Sequence, residues 1–193
     1  LNELNIDYTE EIGEAAFYGP KLDVNVKPAV GNEYTLSTCQ LDFCLPMKFD
    51  LKYVSKDGDK KTPVVLHRAI LGSLDRFMAY ILEETKGALP LWLSPTQINV
   101  IPVNNEYHTE YANKIYELLK DNGFRVNIDL RDEKLSYKMR ESQTKKIPYT
   151  LILGDKEKEN NNISYRCFGN TDTKTIDTHE FILLLKEQIR DKK

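Results

Sequence analysis

Between Gly87 and Pro95 the chain reads Gly-Ala-Leu-Pro-Leu-Trp-Leu-Ser-Pro, a stretch with two prolines, one glycine and no charge. Neither an amphipathic helix nor an alternating strand tolerates that composition. Such a run is expected to be a packed connector between two folding units, because it is too apolar for a floppy linker. The chain of 193 residues is therefore read in two parts, 1–90 and 91–193.

The part before the break has the rhythm of strands joined by short turns. Leu22, Val24 and Val26 alternate with Asp23, Asn25 and Lys27, as a half-buried strand does. Residues 35–45, 49–54 and 63–66 are further strand candidates, and Lys56-Asp57-Gly58-Asp59 is a tight turn. Short turns between successive strands imply antiparallel pairing. The apolar run Pro63-Val64-Val65-Leu66 is expected to be a buried strand. Ile70, Leu74, Phe77, Met78 and Ile81 then fall at helical spacing, which predicts a helix over 70–84 with Gly72 and Arg76 on its other face.

After the break the rhythm changes. A buried strand over 97–103 precedes a helix over 107–121, ended by Asn122-Gly123. A strand at 124–128, a helix at 134–145 and a strand at 148–153 follow. A further strand spans 163–168, and a last helix is capped by Asp177 with Glu180 three residues on. Strand–helix alternation predicts a mixed, mostly parallel sheet with flanking helices. The fold class expected is thus α+β in the first part and α/β in the second.

Composition bounds the partners. Residues 1–90 hold 10 Lys+Arg against 14 Asp+Glu, and residues 91–193 hold 17 against 16, so neither part is a bulk basic RNA binder. Any RNA contact must come from a local patch. Three cysteines without CxxC spacing suggest reduced cytoplasmic thiols, not a disulfide framework or a self-contained zinc site. No apolar run reaches membrane-spanning length and no secretory leader is visible, so no membrane partner is expected. A chain that starts at Leu1 is expected to be a piece of a longer protein.

Four stretches carry possible chemistry. They are Ala16-Phe17-Tyr18-Gly19-Pro20-Lys21, Leu36-Ser37-Thr38-Cys39-Gln40-Leu41-Asp42-Phe43, His67-Arg68 through Arg76-Phe77, and Arg131-Asp132-Glu133-Lys134 through Lys146-Ile147-Pro148-Tyr149. On a strand, Thr38 and Gln40 share one face, and both donate and accept hydrogen bonds. An arginine held rigidly on a packed helix suits a phosphate. The fourth stretch has six basic and three acidic residues, and Lys134, Lys138, Glu141 and Lys145 are spaced to share one helix face.

Together these stretches resemble the class II aminoacyl-tRNA synthetases, and most closely the threonyl-tRNA synthetase family. The third looks like motif 3 of that class. The resemblance covers nearly the whole chain and implies the end of a catalytic domain over 1–90 and an anticodon-binding domain over 91–193. It implies ATP-dependent activation of threonine to threonyl-adenylate, with magnesium accompanying ATP, and transfer to threonine tRNA. Arg76, Gln40 and Lys21 would serve catalysis. Arg76, Thr38, Gln40 and Ser73 would bind ATP and the adenylate, while Tyr18, Lys21 and Gln40 would hold threonine. His67 matches one of three protein ligands of a catalytic zinc that binds the amino group and hydroxyl of threonine, a way to reject valine.

By the same resemblance Asp132, Lys134, Arg140, Lys146, Glu157 and Arg166 would meet the anticodon. Lys134 and Lys146 are assigned to phosphates, and Asp132, Glu157 and Arg166 to bases. Tyr34-Thr35 stands where members often carry Trp-Gln, and Lys146 stands where arginine is common. Motifs 1 and 2 and two zinc ligands of the family are not visible in these residues. One histidine cannot hold zinc tightly, so the chain alone is expected to be inactive, and dimerisation is expected to use regions outside it. The alternatives are a non-enzymatic RNA-binding module built on the anticodon-binding domain, and a prolyl or histidyl enzyme of the same class. His108 and His179 are given no role.

Overall fold

The computed structural model describes residues 1–29 and 31–192. The chain divides into two compact units, Leu1–Glu84 and Thr85–Lys193. The uncharged stretch 87–95 packs within the second. Gln97 Nε2 donates to the Leu91 carbonyl at 2.9 Å, and the Arg125 guanidinium donates to the Ser94 and Trp92 carbonyls.

In the first unit, β1 (Lys21–Val26), β2 (Tyr34–Asp42) and β5 (Val65–Ala69) form an antiparallel sheet in the order β1-β2-β5. Lys21 lies opposite Gln40, and Gln40 opposite His67. Residues directly opposite each other point to one face, so this register brings residues far apart in sequence together. Between β2 and β5 come a short helix α1 (Cys44–Lys48) and a two-residue hairpin, β3 (Tyr53–Val54) with β4 (Lys60–Lys61). Helix α2 (Leu74–Glu84) closes the unit.

Several expectations for this unit change, among them the strand candidates over 35–45 and 49–54, which shorten to Tyr34–Asp42 and Tyr53–Val54 with α1 between them. The strand predicted over 63–66 runs Val65–Ala69, and it is not buried: Leu66 is 57% exposed. An outer strand of a three-stranded sheet has one neighbour, and here Val65 and Ala69 are half-buried while Leu66 stays uncovered. The helix predicted from Ile70 begins at Leu74, so Gly72 does not share a helix face with Arg76. Gly72 instead has φ +62°, and a Cβ there would lie 2.5 Å from the Leu36 carbonyl oxygen. Glycine is required for both reasons. The stripe is only partly covered, with Leu74 70% exposed.

The second unit has a five-stranded sheet, ordered β10 (Lys174–Asp177), β9 (Asn162–Cys167), β8 (Tyr149–Leu153), β6 (Ile98–Pro102), β7 (Val126–Ile128). Strands β7, β6 and β8 are parallel, and β9 is antiparallel to both β8 and β10. Four of the five strands therefore point one way. One sheet face is apolar, with Ile98, Val100, Leu151, Ile163 and Tyr165 beneath α3 (Asn105–Asp121) and α6 (Thr178–Arg190). Phe181 packs at 5.6 Å from the Tyr149 ring and 5.1 Å from the Tyr165 ring. Fully burying each such side chain contributes about 2 kcal/mol.

The other face mixes polar residues with Ile101 and Ile152. Its row Asn127, Asn99, Thr150, Arg166 runs across four strands, and α4 (Leu135–Thr144) sits over it through Ser142, whose hydroxyl is 2.5 Å from that of Thr150. Two elements were not expected: β10, and the short helix α5 (Asp155–Asn160). At α6 the Asp177 carboxylate accepts from the His179 and Glu180 amides.

Candidate functional site

The polar face of the first sheet gathers residues from all three strands and from the turn before β1. Tyr18 donates to Gln40 Oε1 at 2.5 Å, and Gln40 Nε2 donates to Thr38 Oγ1 at 3.1 Å. Thr38 in turn bonds the carboxylate of Asp23, which also receives Lys21 Nζ at 2.8 Å. The donors form one line, Tyr18 to Gln40 to Thr38 to Asp23, and members of such a line polarise one another. The Lys21 bond, with help from Thr38, holds the Asp23 carboxyl below its ordinary range despite some burial. Asp23 correspondingly raises the Lys21 ammonium. Gly19 admits this turn: a Cβ there would lie 2.3 Å from the Leu41 carbonyl oxygen.

His67 joins from β5. Its Nε2 is 2.9 Å from Asp42 Oδ2, and its ring is 6.2 Å from that of Tyr18. Asp42 is fully buried, and its other oxygen accepts from the Cys44 and Leu45 amides. Burial raises the Asp42 carboxyl, but His67 and the two amides outweigh it, so the group stays below its ordinary range. Engaging Nε2 leaves Nδ1 as the nitrogen for a metal, the way carboxylates orient metal-binding histidines. Among the described residues no cluster of three or more His, Cys, Asp or Glu side chains is placed to hold a metal. His67 thus has one ring nitrogen tied to Asp42, and the described residues around it bring no companions that would complete a metal site.

Arg76 and Ser73 lie at the start of α2. Ser73 Oγ accepts from the Arg76 amide at 3.3 Å and so caps the helix. The Arg76 guanidinium is exposed and lies 5.7 Å from the centre of the Tyr34 ring. The structure therefore brings Tyr18, Lys21, Thr38, Gln40 and His67 together, with Arg76 toward the other end of β2. Sequence reasoning missed Asp23 and Asp42. Their only signal was alternation on the same faces as Lys21, Gln40 and Thr38.

In the second unit Glu157, Ser164 and Arg166 occupy the polar sheet side. Glu157 accepts from Ser164 Oγ at 2.6 Å and from the Gly154 amide at 2.9 Å. Burial raises its carboxyl, and these two bonds outweigh that, leaving it low. Arg166 Nη2 donates to Thr173 Oγ1 at 3.0 Å, while its Nε is buried without a hydrogen-bond partner. Asp132, Lys134 and Arg140 are exposed, Lys134 at the N-cap of α4. Lys146 has φ +53°, and its ammonium donates to the Lys86 carbonyl.

Lys138 departs from the expected helix face. It is 2% exposed, and its ammonium donates to the Asp129 carbonyl at 3.1 Å. Glu141 is likewise committed, to Arg131 and Lys145. Between α4 and strands β6 and β7 lies a cavity of about 460 Å³ lined by Asn99, Asn127, Arg131, Lys138 and Glu141 among others, which no local pattern announced.

These two faces can be set against known proteins. Residues 3–85 match the family model described as tRNA synthetase class II core domain (G, H, P, S and T), and residues 97–188 match the anticodon binding domain. The threonine–tRNA ligase of Oceanobacillus iheyensis is 51% identical over 193 residues, and that of Staphylococcus carnosus 54%. The chain is covered completely in both alignments but spans only 30% of either relative. Among solved structures, the RNA binding domain of threonyl-tRNA synthetase from Cryptosporidium parvum superposes with TM-score 0.87 at 35% identity, over 96% of this chain and 47% of that one. Prolyl-tRNA synthetase from the same organism, complexed with L-proline and AMP, gives TM-score 0.74 at 18% identity over 94% of this chain and 41% of that one, a likeness of fold.

Proposed function

Since the chain belongs to the class II aminoacyl-tRNA synthetases, with core-domain sequence in its first unit and the anticodon-binding domain in its second, we propose that it works as part of a threonine–tRNA ligase. The parent reaction joins threonine and ATP as threonyl-adenylate with release of pyrophosphate, and then esterifies threonine tRNA. The observation that carries this reading is the donor line from Tyr18 through Gln40 and Thr38 to Asp23, with His67 beside it. A surface that only bound RNA has no use for such a line.

In this reading Tyr18, Gln40 and Lys21 hold the amino acid, and Thr38 and Gln40 face the adenylate. Arg76, with Ser73 near it, meets the phosphates of magnesium-bound ATP. The step is a displacement at phosphorus by the threonine carboxylate, so fixed positive charge from Arg76 and Lys21 lowers the barrier as charge moves toward pyrophosphate. His67 would be one of the ligands of a zinc ion, whose chemistry is to bind the amino group and hydroxyl of threonine. A site keyed to a hydroxyl discriminates better than shape alone against an analogue lacking it. The second unit reads the anticodon with Asp132, Glu157 and Arg166, while Lys134, Arg140 and Lys146 attract the backbone. The full-length protein would act as a homodimer in the cytoplasm.

The test is amino-acid-dependent exchange of labelled pyrophosphate into ATP by the full-length protein. Threonine should drive exchange, valine and proline should not, and Gln40→Ala should lower kcat/KM for threonine by about tenfold to a hundredfold, as loss of one or two hydrogen bonds does. Exchange driven by proline or histidine in place of threonine would refute the assignment.

A further inference from the structure

Beyond the buried Asp129 the segment between β7 and α4 is exposed, yet it is tied down from two helices. Asn105, the first residue of α3, donates from Nδ2 to the carbonyls of Leu130 at 2.7 Å and Arg131 at 3.1 Å. Lys138, buried on α4, donates to the carbonyl of Asp129 at 3.1 Å and lies 3.5 Å from Asn105 Oδ1. Three successive carbonyls are thus held by two side chains that also meet each other. The Asp129 carboxylate adds a fork to Arg131 Nε and Nη2 and accepts from the Arg131 amide. An ammonium is rarely this deeply buried unless something specific repays its desolvation. A plain helix contact would be met as well by a methionine.

We propose that Asn105 and Lys138 are positioning residues for RNA recognition: they hold the carbonyls of Asp129, Leu130 and Arg131 and so present Asp132 and Lys134 in one conformation to a single-stranded RNA loop. This rests on the reading of the second unit as an RNA-binding domain. Neither residue touches the RNA. Lys138 is 2% exposed with its ammonium spent on Asp129 and Asn105, and the Asn105 amide is spent on the loop. Their contribution is that the loop does not have to be ordered on binding, which is where association with mobile segments loses affinity.

The experiment measures the dissociation constant of the whole 193-residue chain for a synthetic anticodon stem–loop of threonine tRNA across a salt series. Wild type is compared with Asn105→Ala and Lys138→Met. The two variants cut the same clamp from different helices, so a folding failure in one leaves the other informative. Each should bind about tenfold more weakly, the effect of reordering roughly one loop residue. The slope of log affinity against log salt should not change, and amide exchange at Asp132 and Glu133 should quicken in the free variants. A residue that only supported the fold would lower the melting temperature and leave the affinity alone, which would overturn the proposal. So would a slope smaller by about 0.7 in Lys138→Met, because that marks a direct phosphate contact. If wild type itself shows no preference for the stem–loop, the RNA-binding reading has failed and the clamp proposal falls with it. If wild type binds and both variants match it, only the clamp is wrong.

Discussion

Arg166→Lys isolates base reading from charge. Arg166 sits on β9 in the polar row, opposite Thr150, with Nη2 on Thr173 Oγ1 and Nε buried and unpartnered. A buried donor without an acceptor costs about 1–3 kcal/mol. An RNA base edge that displaces the cover over this nitrogen and accepts from it recovers that amount, so the bound state gains up to roughly fivefold to 150-fold in affinity from one bond. Lysine keeps the positive charge and loses both Nε–H and the planar fork. The variant should therefore lose about that factor for the threonine anticodon stem–loop, keep its salt dependence, and bind a stem–loop with altered anticodon bases as wild type does. The assay is fluorescence anisotropy at low and moderate salt with both RNAs, since affinity without a stated salt concentration is not interpretable. An equal loss for both RNAs would show that Arg166 serves as a charge. No loss at all would show that its orphan nitrogen does not meet RNA.

Phe181→Ala removes a fully buried ring wedged between Tyr149 and Tyr165 and should destabilise the second unit by about 3–5 kcal/mol, whereas Leu74→Ala on the exposed start of α2 should stay within about 0.5 kcal/mol; calorimetry of the chain reads both, and similar shifts for the two would contradict the burial pattern. Acid should loosen the β7–α4 segment: Asp129 is held low by Arg131, and Glu141 by Lys145 and Arg131. Because both folded carboxyls lie below their unfolded values, their stabilisation is complete above the ordinary carboxylate range of about 4 and disappears as pH falls through the folded values. Urea melts from pH 7 down to 3 should show the loss in wild type and a smaller loss in Arg131→Met, and a pH-independent difference between the two would refute the linkage.

Periodicity carried the argument where burial and sequence agree and failed where they part. Strand β6 and helix α3 were legible because Ile98, Val100, Tyr111, Ile115 and Leu119 do bury the apolar residues their spacing predicts. Helix α5 was not, because Asp-Lys-Glu-Lys-Glu-Asn has no apolar residue to set a period. Its start is instead fixed by Glu157 folding back on the Gly154 amide. Lys138 was grouped with Lys134, Glu141 and Lys145 on one helix face because a lysine at helical spacing gives no sign of being buried. Only the Asp129 carbonyl and the Asn105 side chain that its ammonium meets explain it. Val64 and Leu66 were read as core from composition, yet composition reports what a strand could bury and not which neighbours it has.

The candidate sites show the same division at the level of chemistry. Tyr18, Lys21, Thr38, Gln40 and His67 were named one by one from short stretches, and the register of β1, β2 and β5 turned them into a single face. What the stretches could not supply were the carboxylates that organise them. Asp23 ends the donor line and anchors Lys21, and Asp42 fixes which nitrogen of His67 is engaged. Both are acceptors aimed by backbone geometry, and their roles appear only once the pairing is known. A residue that touches a ligand leaves its mark in a motif. A residue that aims it leaves a mark only in the fold, so buried or spent polar groups such as Asp42, Lys138 and Asn105 are where physical reading adds most.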